Sequence, residues 1–232
     1  MRDLVWDGSV NARDLGGLGR LKPRAVVRME QPTRLSAQGW EAAWAYGVRT
    51  FVDLRNVGEG EPDEAPRPAG ITTVQVWQDP VGTPFYEHWQ GIDNLASPLY
   101  YPAMLAEHPQ RLVEAVRAIA TAEPGGVAFH CASGKDRTGL LALVLLTFAE
   151  ATPAEIIADY LLSYERMKAR YDEIGARDQL TAVTDLLTEH DTTIEASLNA
   201  TIASLDMPDY LLANGLTHEE LEALRTRLIE PS

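Results

Sequence analysis

With 232 residues, 45% of them hydrophobic and 23% charged, the chain is long enough for one sizeable α/β domain and lacks the composition of a disordered or fibrous protein. A formal charge of −14 excludes broad electrostatic binding to nucleic acid or to an anionic membrane surface, and leaves room only for a local cationic pocket. The single cysteine forms no internal disulfide, the start MRDLVWDG lacks the apolar stretch of a signal peptide, and the longest apolar run, residues 140–146, falls far short of the ~20 residues of a membrane span, so a cytoplasmic protein without stable membrane insertion is expected.

In chain order, residues 25–28 read as an edge strand. Ser36 is placed to cap a helix over 40–46, with Leu35 and Trp40 set as a hydrophobic staple. Residues 50–55, TFVDLR, and 71–77, ITTVQVW, are rich in β-branched and aromatic side chains and read as strands. The stretch between them, NVGEGEPDEAPRPAG, mixes Gly, Pro and acid in a way neither helix nor central strand tolerates, and is expected to be a solvated loop. A helical pattern follows at 110–121, then a short strand at 127–130 and an apolar helix at 138–150. Thr152, Pro153 and Glu155 supply an N-cap, a proline at the first helical position and a capping-box glutamate; Ile156, Ile157, Tyr160, Leu161 and Tyr164 then share one face. Much of 166–205 is helical in pattern, and Thr217 with Glu220 opens the last helix. This alternation predicts an α/β fold in one domain over 1–232, with a central, mostly parallel sheet flanked by helices and a helical C-terminal third.

The stretch HCASGKDRTG, residues 130–139, carries the chemistry. It joins a strand ending at His130 to a helix through a turn of small residues, a geometry in which backbone N–H groups point inward beside a helix N-terminus and cradle a phosphate. Cys131 in that positive potential is expected to be stabilised as the thiolate. The planar guanidinium of Arg137 returns to the same centre and can hold two phosphoryl oxygens at once. A lone cysteine is otherwise a small hydrophobe, a reading that would leave Lys135 and Arg137 beside it by accident.

His130, Cys131, Arg137 and Thr138 match the His-Cys, five residues, Arg, Ser/Thr signature of the cysteine-dependent tyrosine phosphatases. The full loop resembles the HCxxGKDRTG form of the atypical bacterial and fungal branch of that family, as do NARDLGGL at 11–18, VRTFVDLR at 48–55 and IIADYLLS at 156–163; Arg28-Met29 departs from the more usual Arg-Ser. The resemblance spans most of residues 9–165. It implies a tyrosine-phosphatase-like fold and metal-independent, cofactor-free hydrolysis of phosphomonoesters, with phosphorylated protein as substrate and phosphoinositides as the alternative that Lys135 favours in this branch.

By that resemblance Cys131 attacks phosphorus, the Arg137 side chain and the backbone N–H groups of Ala132 to Arg137, those of Ser133, Gly134 and Lys135 among them, hold the equatorial oxygens, and the Thr138 hydroxyl eases departure of the sulfur. Asp136 inside the loop is the preferred general acid, with Asp79 in VWQDP as the alternative. His130 is expected to position the loop; Asp53 with Arg55, and Arg13 with Asp14, read as ion pairs or loop buttresses. His88, His108, His190 and His218 show no metal-ligand spacing, and the five tryptophans read as core or pocket wall. Residues 165–205, with Gly175 as a hinge, either overhang the pocket as a helical lid or pack on the core. A non-catalytic phosphate-binding module and a sulfurtransferase are the readings of other classes. Phosphate bound without turnover would mark the first, and thiocyanate formed from thiosulfate the second.

Overall fold

The computed structural model describes residues 2–91 and 94–230. Strands β1 (Arg13–Asp14), β2 (Val26–Met29), β3 (Val48–Asp53), β4 (Thr72–Gln75) and β5 (Gly126–His130) form one sheet in the order β1-β2-β5-β3-β4. All neighbours are parallel except β1, which pairs antiparallel with β2. The strand expected at the edge is therefore covered: Arg13 pairs with Arg28 and Asp14 with Val27. Two residues are too few for a period-two pattern, so β1 is not recognisable from alternation. The parallel edge is instead β4, whose four residues are all exposed.

Ten α-helices lie among the described residues. They are α1 (Ala37–Tyr46), α2 (Pro84–Gly91), α3 (Tyr101–Glu107), α4 (Pro109–Ala120) and α5 (Asp136–Phe148), then α6 (Pro153–Glu173), α7 (Gln179–Glu189), α8 (Ile194–Ala203), α9 (Asp209–Ala213) and α10 (His218–Leu228). The caps follow the sequence. The Ser36 side chain accepts from Gly39 N, and both capping boxes form, Thr152 with Glu155 and Thr217 with Glu220. No helix among the described residues is long and apolar enough to cross a membrane.

Side chains alternate across β5: Val127 and Phe129 enter the larger core with α4, α5, α6 and α10, while Ala128 enters the smaller one with Met29, Phe51 and Trp40 under α1. Residues 140–146 are all buried, since α5 is wrapped by the sheet on one side and by α4, α6 and α8 on the others. Trp6 and Trp40 are core residues, whereas Trp77, 48% exposed beyond the end of β4, forms part of the wall of a surface cavity with Val76 and Arg111.

A buried charge cluster ties these layers together. Asp159 on α6, fully buried, accepts from Arg13 Nε at 2.9 Å, Arg28 Nη1 at 2.7 Å and Arg2 Nη1 at 3.0 Å. Burial by itself would raise the Asp159 pKa, but Arg13 and Arg28 outweigh it and hold the carboxyl well below the usual range. Its contribution to stability is therefore full above the ordinary carboxylate pKa and is lost as pH falls from there toward the depressed value. Asp159→Asn leaves two buried guanidiniums without a counter-charge and is expected to cost about 3 kcal/mol, read as a lower urea midpoint at neutral pH, with the gap to wild type closing on acidification.

Candidate active site

The registers Met29↔His130 and Asp53↔His130 bring the C-terminal ends of β2, β5 and β3 level, and the crevice beyond such ends is where parallel sheets bind ligands. The loop at residues 131–135 starts there and runs into α5. Its carbonyls are all engaged from outside. Ala132 O accepts from Gln31 N at 2.9 Å, Ser133 O from Asn11 Nδ2 at 3.1 Å, and Gly134 O from Arg28 Nη2 at 2.9 Å; Lys135 O lies 3.5 Å from the same Arg28 nitrogen. Among the described residues, the N–H groups of residues 132–136 donate to no protein atom. With the carbonyls turned out, those donors face the centre of the loop, where Cys131 lies buried outside any disulfide. Gly134 makes the turn at φ +67°, and a Cβ there would sit 2.2 Å from Met29 O. Arg28 and Arg13, sharing one carboxylate behind the loop, leave a net positive charge beneath it.

Arg137 stands at the rim. Its two terminal nitrogens donate to Glu59 at 3.0 and 2.8 Å, and Nη1 lies 3.1 Å from Asp79 Oδ2. Burial would lower its pKa, but Cys131, Glu59 and Asp79 raise it, so it stays charged. Asn56 Nδ2 clamps the two acids, donating to Glu59 Oε1 and Asp79 Oδ2 at 2.9 Å each. The two carboxyls differ. Burial would raise Glu59, but the Arg137 bonds bring it down, whereas for Asp79 burial prevails over Arg137 and raises the pKa above the usual carboxylate value.

Asp136 has another partner: its Oδ1 accepts from Lys135 Nζ at 2.9 Å. That ammonium is buried, lying 3.3 Å from Ala96 O and 4.6 Å above the Tyr164 ring, on the α6 side of the loop. The Thr138 hydroxyl is buried without a hydrogen-bond partner and makes no bond to Cys131 in this state. Asp53 and Arg55 pair with each other at 2.7 Å. Asp14 accepts from Gly16 N and Arg24 N, and so ties down the turn after β1.

His130 Nδ1 lies 3.0 Å from Cys131 O and 3.7 Å from Asp53 Oδ1. A carbonyl only accepts, so Nδ1 carries the proton and the partnerless Nε2 is the bare nitrogen. Burial pushes the pKa of His130 down to about 4. Met167, Arg170, Tyr171 and Ile174, at the end of α6, line a cavity with Ala132 and Ser133, so the last turns of α6 stand over one side of the loop, and Gly175 at φ +66° ends that helix.

A model of the tyrosine phosphatase family matches residues 4–230. The chain belongs to the tyrosine phosphatase family. It is 31% identical, over 92% of its length and 84% of the relative's, to a protein of Cupriavidus necator that carries the name tyrosine-protein phosphatase. It is also 30% identical to a tyrosine-protein phosphatase of Nostoc commune, over 60% of this chain and 48% of that one. In this phosphatase the residues that sequence reasoning passed over are Glu59, Asn56, Arg28 and Asp159. Glu59 is one of four acids within residues 59–64, and nothing local distinguishes it from its neighbours. Asp159 did carry a signal, since it stands on the same helical stripe as Ile156, Tyr160 and Ser163, where an unpaired carboxylate would be costly.

Proposed function

We propose that the protein hydrolyses phosphomonoesters, protein phosphotyrosine first among them, through a cysteinyl-phosphate intermediate and without a metal ion. The observation that carries this reading is the outward bonding of the loop carbonyls, which leaves a ring of N–H donors around Cys131 at the start of α5. The Cys131 thiolate attacks phosphorus in line. The bond from phosphorus to the leaving oxygen breaks with its electron pair on that oxygen, which takes a proton from a carboxylic acid. The loop N–H groups and Arg137 hold the three equatorial oxygens as charge spreads over them. Water then attacks phosphorus and gives its proton to the same carboxylate; the S–P bond breaks, releasing inorganic phosphate and restoring the thiolate. Glu59 grips Arg137 from outside the loop and holds the guanidinium at the rim before substrate arrives.

Two carboxyls can serve as the acid. Asp136 sits inside the loop but is bonded to Lys135, whereas Asp79 has a raised pKa beside Arg137, and these contacts favour Asp79. Phosphotyrosine ranks above phosphoinositides because Lys135, the cation that would favour the lipid, is buried against Asp136 and Tyr164, and a chain of charge −14 is repelled by an anionic bilayer. The free thiol suits a reducing compartment, and we assign the protein to the cytoplasm.

Purified protein is expected to release phosphate from para-nitrophenyl phosphate at the same rate, to within about twofold, with or without excess chelator, because every charge-stabilising group in the steps above belongs to the chain. Activity lost to chelator and restored by a divalent ion would overturn the metal-free mechanism. Thiocyanate formation from thiosulfate, without phosphate release, would overturn the whole reading.

A further inference from the structure

A cavity of about 360 Å³ adjoins the phosphate loop and is lined in part by Ala132 and Ser133, the two residues after Cys131. A substrate with its phosphate in the loop has room for its neighbouring groups on this side of Ala132 and Ser133. The outer wall is apolar, made by Met167, Tyr171 and the 71% exposed Ile174. Two cations converge on its rim: Arg34 Nη1 lies 3.0 Å and Arg170 Nη1 3.3 Å from the same oxygen, Glu173 Oε2. Arg170 is held in place by a second bond, from Nη2 to Gly8 O at 3.0 Å.

Glu173 is thus an internal carboxylate occupying an arginine pair. Its side chain is 52% exposed at the last residue of α6, and that of Arg34 is 49% exposed, so the pair exchanges partners at little cost. The other acid of the cavity, Glu30, does not compete for these arginines: its two oxygens already accept from Ser9 Oγ, Val10 N and Asn11 N.

We infer that Arg34 and Arg170 form a second anion subsite, which takes the carboxylate of an acidic residue flanking phosphotyrosine in a peptide substrate when Glu173 swings out to water. The inference rests on the phosphatase reading above and deepens it to a substrate class. A peptide fits the cavity because the apolar wall of Met167, Tyr171 and Ile174 accepts the methylene stem of the flanking acidic side chain while its carboxylate reaches the two arginines.

The test uses two phosphotyrosyl peptides that differ only in carrying Glu or Gln on both sides of the phosphotyrosine. The readout is the ratio of their kcat/KM values within one preparation, which does not depend on how much of a variant is folded. Wild type is expected to favour the Glu peptide about three- to fivefold. Arg34→Gln with Arg170→Gln should bring the ratio close to one, Glu173→Gln should raise it above wild type, and removal of a charge on α10 by Arg225→Gln should leave it alone. A wild-type ratio of one, or a ratio that the double variant does not change, overturns the subsite while the phosphatase reading stands. So does a gain by Glu173→Gln on a soluble short-chain phosphatidylinositol bisphosphate with none on the Glu peptide. If wild type hydrolyses neither peptide, the reading beneath the subsite fails and the subsite with it.

Discussion

Cys131→Ser is expected to lower turnover of para-nitrophenyl phosphate by about four orders of magnitude or more while phosphate still binds. Neither His130 nor Asp136 activates a serine hydroxyl at this position. His130 beside it is buried, its pKa is pushed down to about 4, and its Nδ1 proton is committed to the Cys131 carbonyl. Asp136 is bonded to Lys135 rather than free to accept a proton. The binding apparatus is independent of the sulfur. Arg28, Asn11 and Gln31 hold the loop carbonyls outward whatever side chain stands at 131, so the N–H donors keep their aim. Isothermal titration with inorganic phosphate, run beside the turnover assay, separates the outcomes. Retained turnover would move the nucleophile elsewhere in the chain. Loss of turnover together with phosphate binding and folding would make Cys131 a packing residue, in keeping with its place in the larger core.

What the sequence conveyed about this site and what it concealed follow from how far apart the interacting residues lie. The strand, loop and helix at 126–148 are contiguous, so the small residues at 132–134, the glycine at positive φ and the apolar run of α5 appear together. The helix caps are likewise local, three residues from cap to partner, and the capping boxes read from Thr152 and Thr217 form. The supports of the loop are not local. Arg28 reaches Gly134 across 106 positions and Asp159 across 131; only the order of strands, with β2 beside β5, brings them together. Arg13 and Asp14 read from the sequence as ion pairs or loop buttresses, but their partners, Asp159 for the first and the turn after β1 for the second, could not be assigned without the fold. Glu59 was hidden for a different reason. The Gly, Pro and acid of residues 56–70 do make an irregular, largely exposed loop, and that composition is silent on which acid turns inward. The answer depends on Asn56, whose side chain bonds Glu59 and Asp79 together and points both at Arg137.

That cluster sets up the second large effect. Asp79→Asn is expected to depress turnover of phenyl phosphate about a thousandfold and of para-nitrophenyl phosphate about tenfold or less, because para-nitrophenolate departs without a proton and phenolate does not. An acid must hold its proton at the working pH, and burial raises the Asp79 pKa in spite of Arg137 at 3.1 Å, so the protonated form persists to a higher pH than it would on the surface. Activity toward phenyl phosphate should accordingly fall as the pH rises through that value, and Asp79→Asn should erase this basic limb of the profile. Asp136→Asn should act in another way. Removing its charge leaves the buried Lys135 ammonium without its counter-ion, beside the Ala96 carbonyl and the Tyr164 ring, and distorts the loop for every substrate alike, so the two leaving groups should lose about the same factor. The measurement is kcat for both substrates across the pH range, in wild type and in each variant. If Asp136→Asn shows the leaving-group dependence and Asp79→Asn an equal loss for both, the acid is the loop aspartate, and the role of Asp79 is to hold Arg137 at the rim alongside Glu59.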